Sequence, residues 1–407
     1  MHQLQTAGYK VEHNPDNIDG GIVIINTCGF INDAKEESID TILDFAEARK
    51  NQDIQKLFVM GCLSQRYQSQ LENEMHEVDA FYGVADLTRI LADFEVGYKK
   101  DLLGERAVTT PGHYAYLKVS EGCDRSCSFC AIPLIRGKHI SKTIEEIVKE
   151  ARFLASKGVK ELMLIAQDLT YYGLDIYKKR ALADLLKELI KVDGIEWIRL
   201  HYAYPAGFPD DLLEVIKSSN KICNYLDIPL QHISDPILKS MRRGHNAEQT
   251  RNLISRLRKE IPQIALRTTM IVGYPGETNE DFEMLKSFVL ESRFERMGVF
   301  TYSHEEDTSA HKLNDDVPEE LKQSRLEELM AIQENISTEI NQEKIGKAFK
   351  VMIDRKEGDF WIGRSEFDSP EVDNEILVPK SFKHKVGEFF EIKVTGAEAF
   401  DLFGEPA

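Results

Sequence analysis

Short apolar segments alternate with longer charged, amphipathic segments along the first three quarters of the chain. Near the N-terminus, residues 21–28 and 56–62 are apolar runs of the kind that parallel sheets bury on both faces. The charged stretch between them, from about 33 to 49, predicts a helix. The runs end in Cys28 and Cys62. Because parallel strands share one carboxyl edge, we expect these thiols to lie close together, although two unrelated buried cysteines would leave the same pattern.

The alternation becomes regular between about residues 110 and 303, where six strand-then-helix units follow one another. This pattern predicts a parallel partial barrel, (β/α)6, with its chemistry at the carboxyl ends of the strands. The predicted strands are 116–119, 162–166, 197–201, 225–229, 266–271 and 297–301, with helices between them, for example at 144–156 and 246–259. The polar residues that follow these strands include Gln167, Asp168, His201, Gln231 and the segment 273–277.

The pattern changes twice after residue 317. Pro318 and Glu319 begin a predicted helix, because proline and acidic residues suit the first helical turn. From about residue 341, short strands separated by turn residues predict a small antiparallel β-barrel of the OB-like type. These strands are 350–354, 361–364, 375–378 and 389–394. The fold class is therefore α/β, with predicted domains at 1–108 (an open parallel sheet), 109–340 (the partial barrel) and 341–407 (the small barrel).

Composition and charge limit the classes of function. No apolar run is long enough to span a membrane and no signal-peptide core is seen, so we expect a cytoplasmic protein without a membrane partner. The net charge of −18 argues against extended binding to a nucleic-acid backbone and allows a basic protein as partner. The predicted small barrel has ten Lys and Arg against fourteen Asp and Glu, a net charge of −4.

The strongest chemical signal lies in residues 121–133, called the cysteine loop below. It contains Cys123, Cys127 and Cys130 at the spacing C-x3-C-x2-C. Three thiolates can hold three irons of a 4Fe-4S cluster and leave the fourth iron open to a substrate or cofactor. A zinc knuckle with His139 as fourth ligand is the alternative, although this spacing is unusual for zinc.

The cysteine loop, with an aromatic residue before its last Cys, resembles the signature of radical S-adenosylmethionine (SAM) enzymes. With the flanking sheet domain and terminal barrel, called TRAM in that family, the whole chain resembles the radical-SAM methylthiotransferases. Several stretches are similar to the RimO type, which modifies an aspartate of small-subunit ribosomal protein twelve. These stretches are 25–31, 34–38, 164–173, 201–205 and 400–405.

The resemblance implies that the cysteine loop binds one 4Fe-4S cluster together with SAM, and that a 5′-deoxyadenosyl radical removes a hydrogen atom from the β-carbon of the aspartate. By position, Gln167 and Asp168 would hold the SAM amino group and Gln231 the ribose. The segment that includes Gly273, Gly276 and Glu277 would contact the adenine.

The resemblance also implies a second 4Fe-4S cluster, for which Cys28 and Cys62 match two ligands. The family's third ligand, in an upstream Gly-Cys-x-x-Asn loop, is absent here, which suggests a truncated or mis-set start. Two thiolates hold such a cluster poorly, so we expect weak binding or none. Cys223 matches no ligand and is interpreted as a core thiol.

The expected partners are the basic ribosomal protein, bound by the acidic terminal barrel, and a one-electron donor. Two alternatives remain. One is a tRNA adenosine methylthiotransferase of the MiaB kind, for which an acidic terminal barrel is less suitable. The other is a ribosome-binding protein with purely structural clusters, which the open-iron spacing disfavours.

Overall fold

The computed structural model describes residues 1–15, 18, 20–99, 102 and 104–407. Its first sheet is parallel and has the order β1-β2-β3. These strands are β1 (Ile22–Thr27), β2 (Lys56–Gly61) and β3 (Ala80–Tyr82), with helices α1 (His2–Thr6), α2 (Asn32–Lys50), α3 (Cys62–Glu74) and α4 (Leu87–Asp93). Thr27 lies opposite Gly61 in the register of β1 and β2. Cys28 and Cys62 therefore leave adjacent strands at the same level, which confirms the predicted shared edge.

The central sheet consists of six parallel strands in the order β11-β10-β9-β8-β7-β4. The strands of this region are β4 (Tyr114–Lys118), β5 (Ser120–Glu121), β6 (Ile140–Ser141), β7 (Glu161–Ile165), β8 (Trp197–Leu200), β9 (Ile222–Asp227), β10 (Ala265–Val272) and β11 (Arg296–Thr301). The short pair β5–β6 is separate and antiparallel. The edge strands β4 and β11 do not pair, so the predicted partial (β/α)6 barrel is confirmed.

Helices cover the outside of this sheet, and local sequence fixes where several of them begin. They are α5 (Ile132–Arg136), α6 (Ile144–Ser156), α7 (Leu182–Leu189), α8 (Asp210–Ser218), α9 (Asp235–Ser240), α10 (Ala247–Glu260) and α11 (Asn279–Ser292). Capping boxes at Thr143, Asn246 and Thr278 satisfy the first backbone amides of α6, α10 and α11. The buried faces of the helices and strands form one large apolar core.

A long helix, α12 (Glu319–Gln342), leads to a closed barrel of five strands. They are β12 (Ala348–Glu357), β13 (Phe360–Ser365), β14 (Glu375–Pro379), β15 (Phe389–Ala397) and β16 (Asp401–Pro406). The pair β14–β16 is parallel and the others are antiparallel, because five strands in a ring cannot all alternate in direction. Among the described residues, no helix combines the length and apolarity needed to cross a membrane.

The C-terminal barrel packs against the amino ends of the central strands. Trp197, the first residue of β8, makes an edge-to-face contact with Phe389 at 4.7 Å between ring centroids. Nearby, the buried carboxylate of Glu161 accepts a hydrogen bond from Arg199 and pairs with Arg364 of the C-terminal barrel. Burial would raise the pKa of Glu161, but the two guanidinium groups outweigh it and lower this pKa to about 2. The C-terminal barrel is thus fixed at the end of the strands opposite the cysteine loop.

Candidate active site

The cysteine loop begins at the carboxyl end of the first central strand, where its backbone makes a tight turn. Gly122 has a φ of +78°, and a Cβ there would lie 2.1 Å from the carbonyl oxygen of Lys138. Only glycine fits this approach. The Cys123 amide then donates to the carbonyl of Gly137 at 3.1 Å, and the Ser128 amide donates to that of Met241 at 3.0 Å. These bonds anchor the loop at its first cysteine and between its last two cysteines.

Burial and nearby hydrogen-bond donors act in opposite directions on the thiols of the cysteine loop. Burial raises the pKa of Cys123 and raises that of Cys130 to about 12, and the neighbouring thiols add to both shifts. The thiols influence one another in this way because the loop holds them close together. The Arg125 amide donates to Cys123 Sγ at 3.4 Å, and Arg243 Nη1 donates to Cys127 Sγ at 3.2 Å. Donors at two sulfur atoms favour the thiolate form that an iron–sulfur cluster requires.

The geometry is less suitable for a zinc knuckle. His139 Nε2 lies 3.0 Å from the hydroxyl of Ser141, and its ring contacts Tyr171. Among the described residues, no group of three or more His, Cys, Asp or Glu side chains is arranged to hold a metal ion. A 4Fe-4S cluster does not need such convergence, because each cysteine binds a different iron and the sulfurs are separated by the width of the cluster.

Two glutamines present unpaired oxygens near the carboxyl ends of the strands. Gln167, which follows β7, donates through Nε2 to Glu121 Oε1 at 3.1 Å, and its Oε1 is buried without a protein partner. Gln231, which follows β9, has a φ of +75° and also buries a side-chain Oε1 without a partner. Buried acceptors of this kind are normally hydrogen-bonded, so both positions suit contact with a polar ligand. The roles of Gln167 and Gln231 as SAM contacts stay a prediction.

The other four predicted SAM contacts already have protein partners. Asp168 accepts from the amide and hydroxyl of Thr170 and from Arg125 Nε. Glu277 accepts from the amide of Gly273 at 2.8 Å and from Arg325 at 2.8 Å, and the amide of Gly276 donates to Asp316 at 2.8 Å. These groups hold the two loops in place, and their roles toward SAM stay a prediction.

Arg136 connects the segment that follows the cysteine loop to Cys62, one of the two cysteines at the carboxyl edge of the N-terminal sheet. Arg136 lies at the end of α5, six residues after Cys130, and its Nη2 donates to Cys62 Sγ at 3.1 Å. Its Nη1 lies 3.5 Å from Glu121 Oε2. Cys28 is exposed, and Cys62 is partly exposed. The thiol of Cys62 is thereby tied to the site that contains Gln167.

Glu305 fixes the N-terminal domain over this end of the barrel. It follows β11, and its carboxylate accepts from Lys35 at 3.0 Å and from Arg66 at 2.9 Å. Only 3% of its side chain is exposed. Arg66 also donates to the carbonyl of Gly29, the residue after Cys28. The edge that carries the cysteine pair is therefore held against the barrel mouth by a buried ionic contact.

Sequence analysis identified the cysteines and polar strand ends but missed the arginines that contact sulfur. The sequence around Arg136 and Arg243 carries no motif that indicates a contact with sulfur. Only the fold brings these two arginines to the thiols. His201 was expected among the polar groups of the barrel mouth. Instead, it is buried and its Nε2 lies 3.1 Å from the hydroxyl of Ser369. Ser369 lies in the segment between β13 and β14, which reaches from the C-terminal barrel to the side chains of the central strands.

Comparison with known families agrees with this architecture. Residues 117–289 match the radical SAM superfamily, 345–406 match the TRAM domain, and 1–83 match the uncharacterized protein family UPF0004. A solved radical S-adenosylmethionine methyltransferase, TsrM from Kitasatospora setae, has a TM-score of 0.51 at 14% identity. That match covers 64% of this chain and 58% of TsrM. The central domain is therefore of the radical SAM class.

Curated relatives narrow this class. Proteins named ribosomal protein uS12 methylthiotransferase RimO are 58% identical in Christiangramia forsetii, 59% in Flavobacterium psychrophilum and 56% in Bacteroides thetaiotaomicron. Each match covers 100% of this chain and, in the same order, 90%, 94% and 93% of the relative. The chain belongs to the family of ribosomal protein uS12 methylthiotransferases.

Proposed function

We propose that this enzyme transfers a methylthio group to the β-carbon of an aspartate in ribosomal protein uS12. The observation that carries the proposal is the arginine between the two sets of cysteines. Arg136 extends from the helix after Cys130 to Cys62. This contact supports a sulfur-delivering site at Cys62 next to a radical-forming site at the cysteine loop. A radical-SAM enzyme that only abstracts hydrogen has no need of this second set of thiols.

The cysteine loop would hold the first 4Fe-4S cluster through Cys123, Cys127 and Cys130. When bound, the cluster and SAM supply a 5′-deoxyadenosyl radical, which removes a hydrogen atom that no acid or base can reach. Gln167 and Gln231 would orient SAM through their free oxygens. Gly273 and Glu277 keep the neighbouring loop closed against α12, through the Arg325 contact, and so shape the wall of the site.

Cys28 and Cys62 would contribute to the second cluster, the site of sulfur delivery. Arg136 would orient Cys62 and keep its sulfur directed toward the barrel. Glu305, through Lys35 and Arg66, would hold the separation between the two sites constant while the substrate loop enters.

The acidic C-terminal barrel would dock the basic ribosomal protein. This barrel is attached at the amino ends of the central strands. It would therefore bind a part of uS12 that is distant from the target aspartate. Complementary charge mainly raises the encounter rate, so binding should weaken as salt is added. Glu and Asp to Lys changes on this barrel should reduce uS12 binding and leave SAM cleavage without substrate intact.

The test is mass spectrometry of uS12 after anaerobic reaction with the reconstituted enzyme, SAM, sulfide and a one-electron donor. The expected product is one methylthio group on one aspartate, with tRNA unmodified. Iron is counted in the same sample, because a preparation with only the first site filled should cleave SAM without methylthiolating uS12. A sample with both sites filled that leaves uS12 unmodified would contradict the proposal.

A further inference from the structure

The thiol of Cys127 lies beside a stack of two arginines and one tyrosine. The ring of Tyr204 has the guanidinium of Arg125 on it at 4.0 Å and that of Arg243 at 4.4 Å. The Tyr204 hydroxyl donates to the Arg243 carbonyl at 2.6 Å and lies 3.7 Å from Cys127 Sγ. Both aromatic contacts are in the range of favourable cation–π interactions.

The two arginines differ in how their charge is balanced. Arg125 pairs with the buried carboxylate of Asp168 at 2.9 Å, and only its backbone amide contacts a sulfur. Arg243 is 4% exposed, and it donates from Nη1 to Cys127 Sγ at 3.2 Å and from Nη2 to the carbonyl of Pro229. Within the described part of the chain, it pairs with no carboxylate. Its positive charge is therefore directed at the sulfur of a proposed cluster ligand.

We propose that Arg243 is a positioning residue that sets the reduction potential of the cluster in the cysteine loop. The inference rests on the proposed cluster. Reduction adds one electron, taken from an external one-electron donor, and no proton, so the charge of the site becomes more negative by one. A guanidinium in direct contact with a ligand sulfur stabilises that extra charge, and hydrogen bonds to sulfur act in the same direction. Tyr204 keeps the guanidinium in place without contributing charge.

The residue next in sequence provides a matched control. Arg242 is exposed and donates from Nη1 to the hydroxyl of Ser309 at 3.2 Å. Arg242→Gln removes the same charge, one position away, without removing a contact to sulfur.

The experiment is a redox titration of reconstituted protein without SAM, monitored by the electron paramagnetic resonance signal of the reduced cluster. At the potential where the unaltered protein is half reduced, Arg243→Gln should lower the ratio of reduced to oxidised cluster about tenfold. For one electron this equals about 59 mV. Arg243→Lys, which keeps the charge, should fall between the two proteins, and Arg242→Gln should match the unaltered protein.

Three outcomes would overturn the inference. The first is an Arg243→Gln protein with the original iron content and an unchanged ratio of reduced to oxidised cluster. The second is an equal shift in Arg242→Gln, which would show a general charge effect. If both Arg243 variants lose the cluster, Arg243 is needed for assembly and the inference is also rejected. In each case, the proposed function is retained if the cluster signal of the unaltered protein changes when SAM is added. If the unaltered protein has no such cluster, the proposed function and the inference about Arg243 are both rejected.

Discussion

Replacing Glu305 by Gln should loosen the N-terminal domain from the barrel mouth. The change removes the charge that Lys35 and Arg66 share, and all three side chains are at most 15% exposed. Breaking a buried ionic contact by removing one partner costs about 3–5 kcal/mol. Because Gln keeps an oxygen that can accept hydrogen bonds, we expect about 3 kcal/mol, or roughly a hundredfold in the docking equilibrium.

The pH dependence of this effect has a defined sign. Burial would raise the pKa of Glu305, but hydrogen bonds from Ser303, Lys35 and Arg66 outweigh it and lower this pKa below its usual 4.5. A carboxyl group whose pKa is lower in the folded protein stabilises it above the unfolded pKa, and this contribution is lost as pH falls through the folded value. The difference between Glu305→Gln and the unaltered protein should therefore be full at neutral pH and disappear in acid.

Hydrogen exchange of the amides in α2 and α3 measures this loosening. We expect faster exchange in Glu305→Gln, with exchange in the C-terminal barrel unchanged. Glu291→Gln is the matched control, because Glu291 pairs with Arg251 on the surface at 58% and 40% side-chain exposure and should contribute less than about 1 kcal/mol. Equal exchange in all three proteins at neutral pH would refute the clamping role of Glu305.

Two further predictions concern the site. Changing any one cysteine of the cysteine loop to Ala should abolish 5′-deoxyadenosine formation, because a cluster with only three protein ligands loses one of them; liquid chromatography of reduced samples would show it. Gly273→Ala should lower the free energy of unfolding by about 1–3 kcal/mol, because its Cβ would lie 2.2 Å from Lys322 Cγ. Gly276→Ala, where no atom lies within 4 Å, should cost less in the same denaturant titration.

The layers of the fold could be predicted because each depends on local patterns. The mostly apolar run of β7, buried except at its last residue, and the capping box at Thr143 are visible along the chain. The predicted ends of the strands were less accurate where apolar residues continue beyond a strand. The fourth central strand was predicted at 225–229 but ends at Asp227, since Ile228 and Leu230 are buried in the loop that follows.

The arrangement around the thiols could not be predicted, because it depends on contacts between distant segments. Arg136 reaches Cys62 across 74 positions, and Arg243 reaches Cys127 across 116. Nothing in a charged stretch indicates which arginine will contact a sulfur. Asp168 and Glu277 were predicted as SAM contacts because they follow strands, and the same position lets them close their own loops.

The central claim is that the radical formed at the cysteine loop removes hydrogen from the β-carbon of an aspartate in uS12. It is tested most directly with uS12 that carries deuterium at the β-carbon of its aspartates. The account predicts deuterium in the 5′-deoxyadenosine formed with this substrate and none with unlabelled uS12. Because this step needs only the first cluster, it does not depend on the iron content of the second site. Unlabelled 5′-deoxyadenosine in the presence of fully deuterated, bound uS12 would contradict the account.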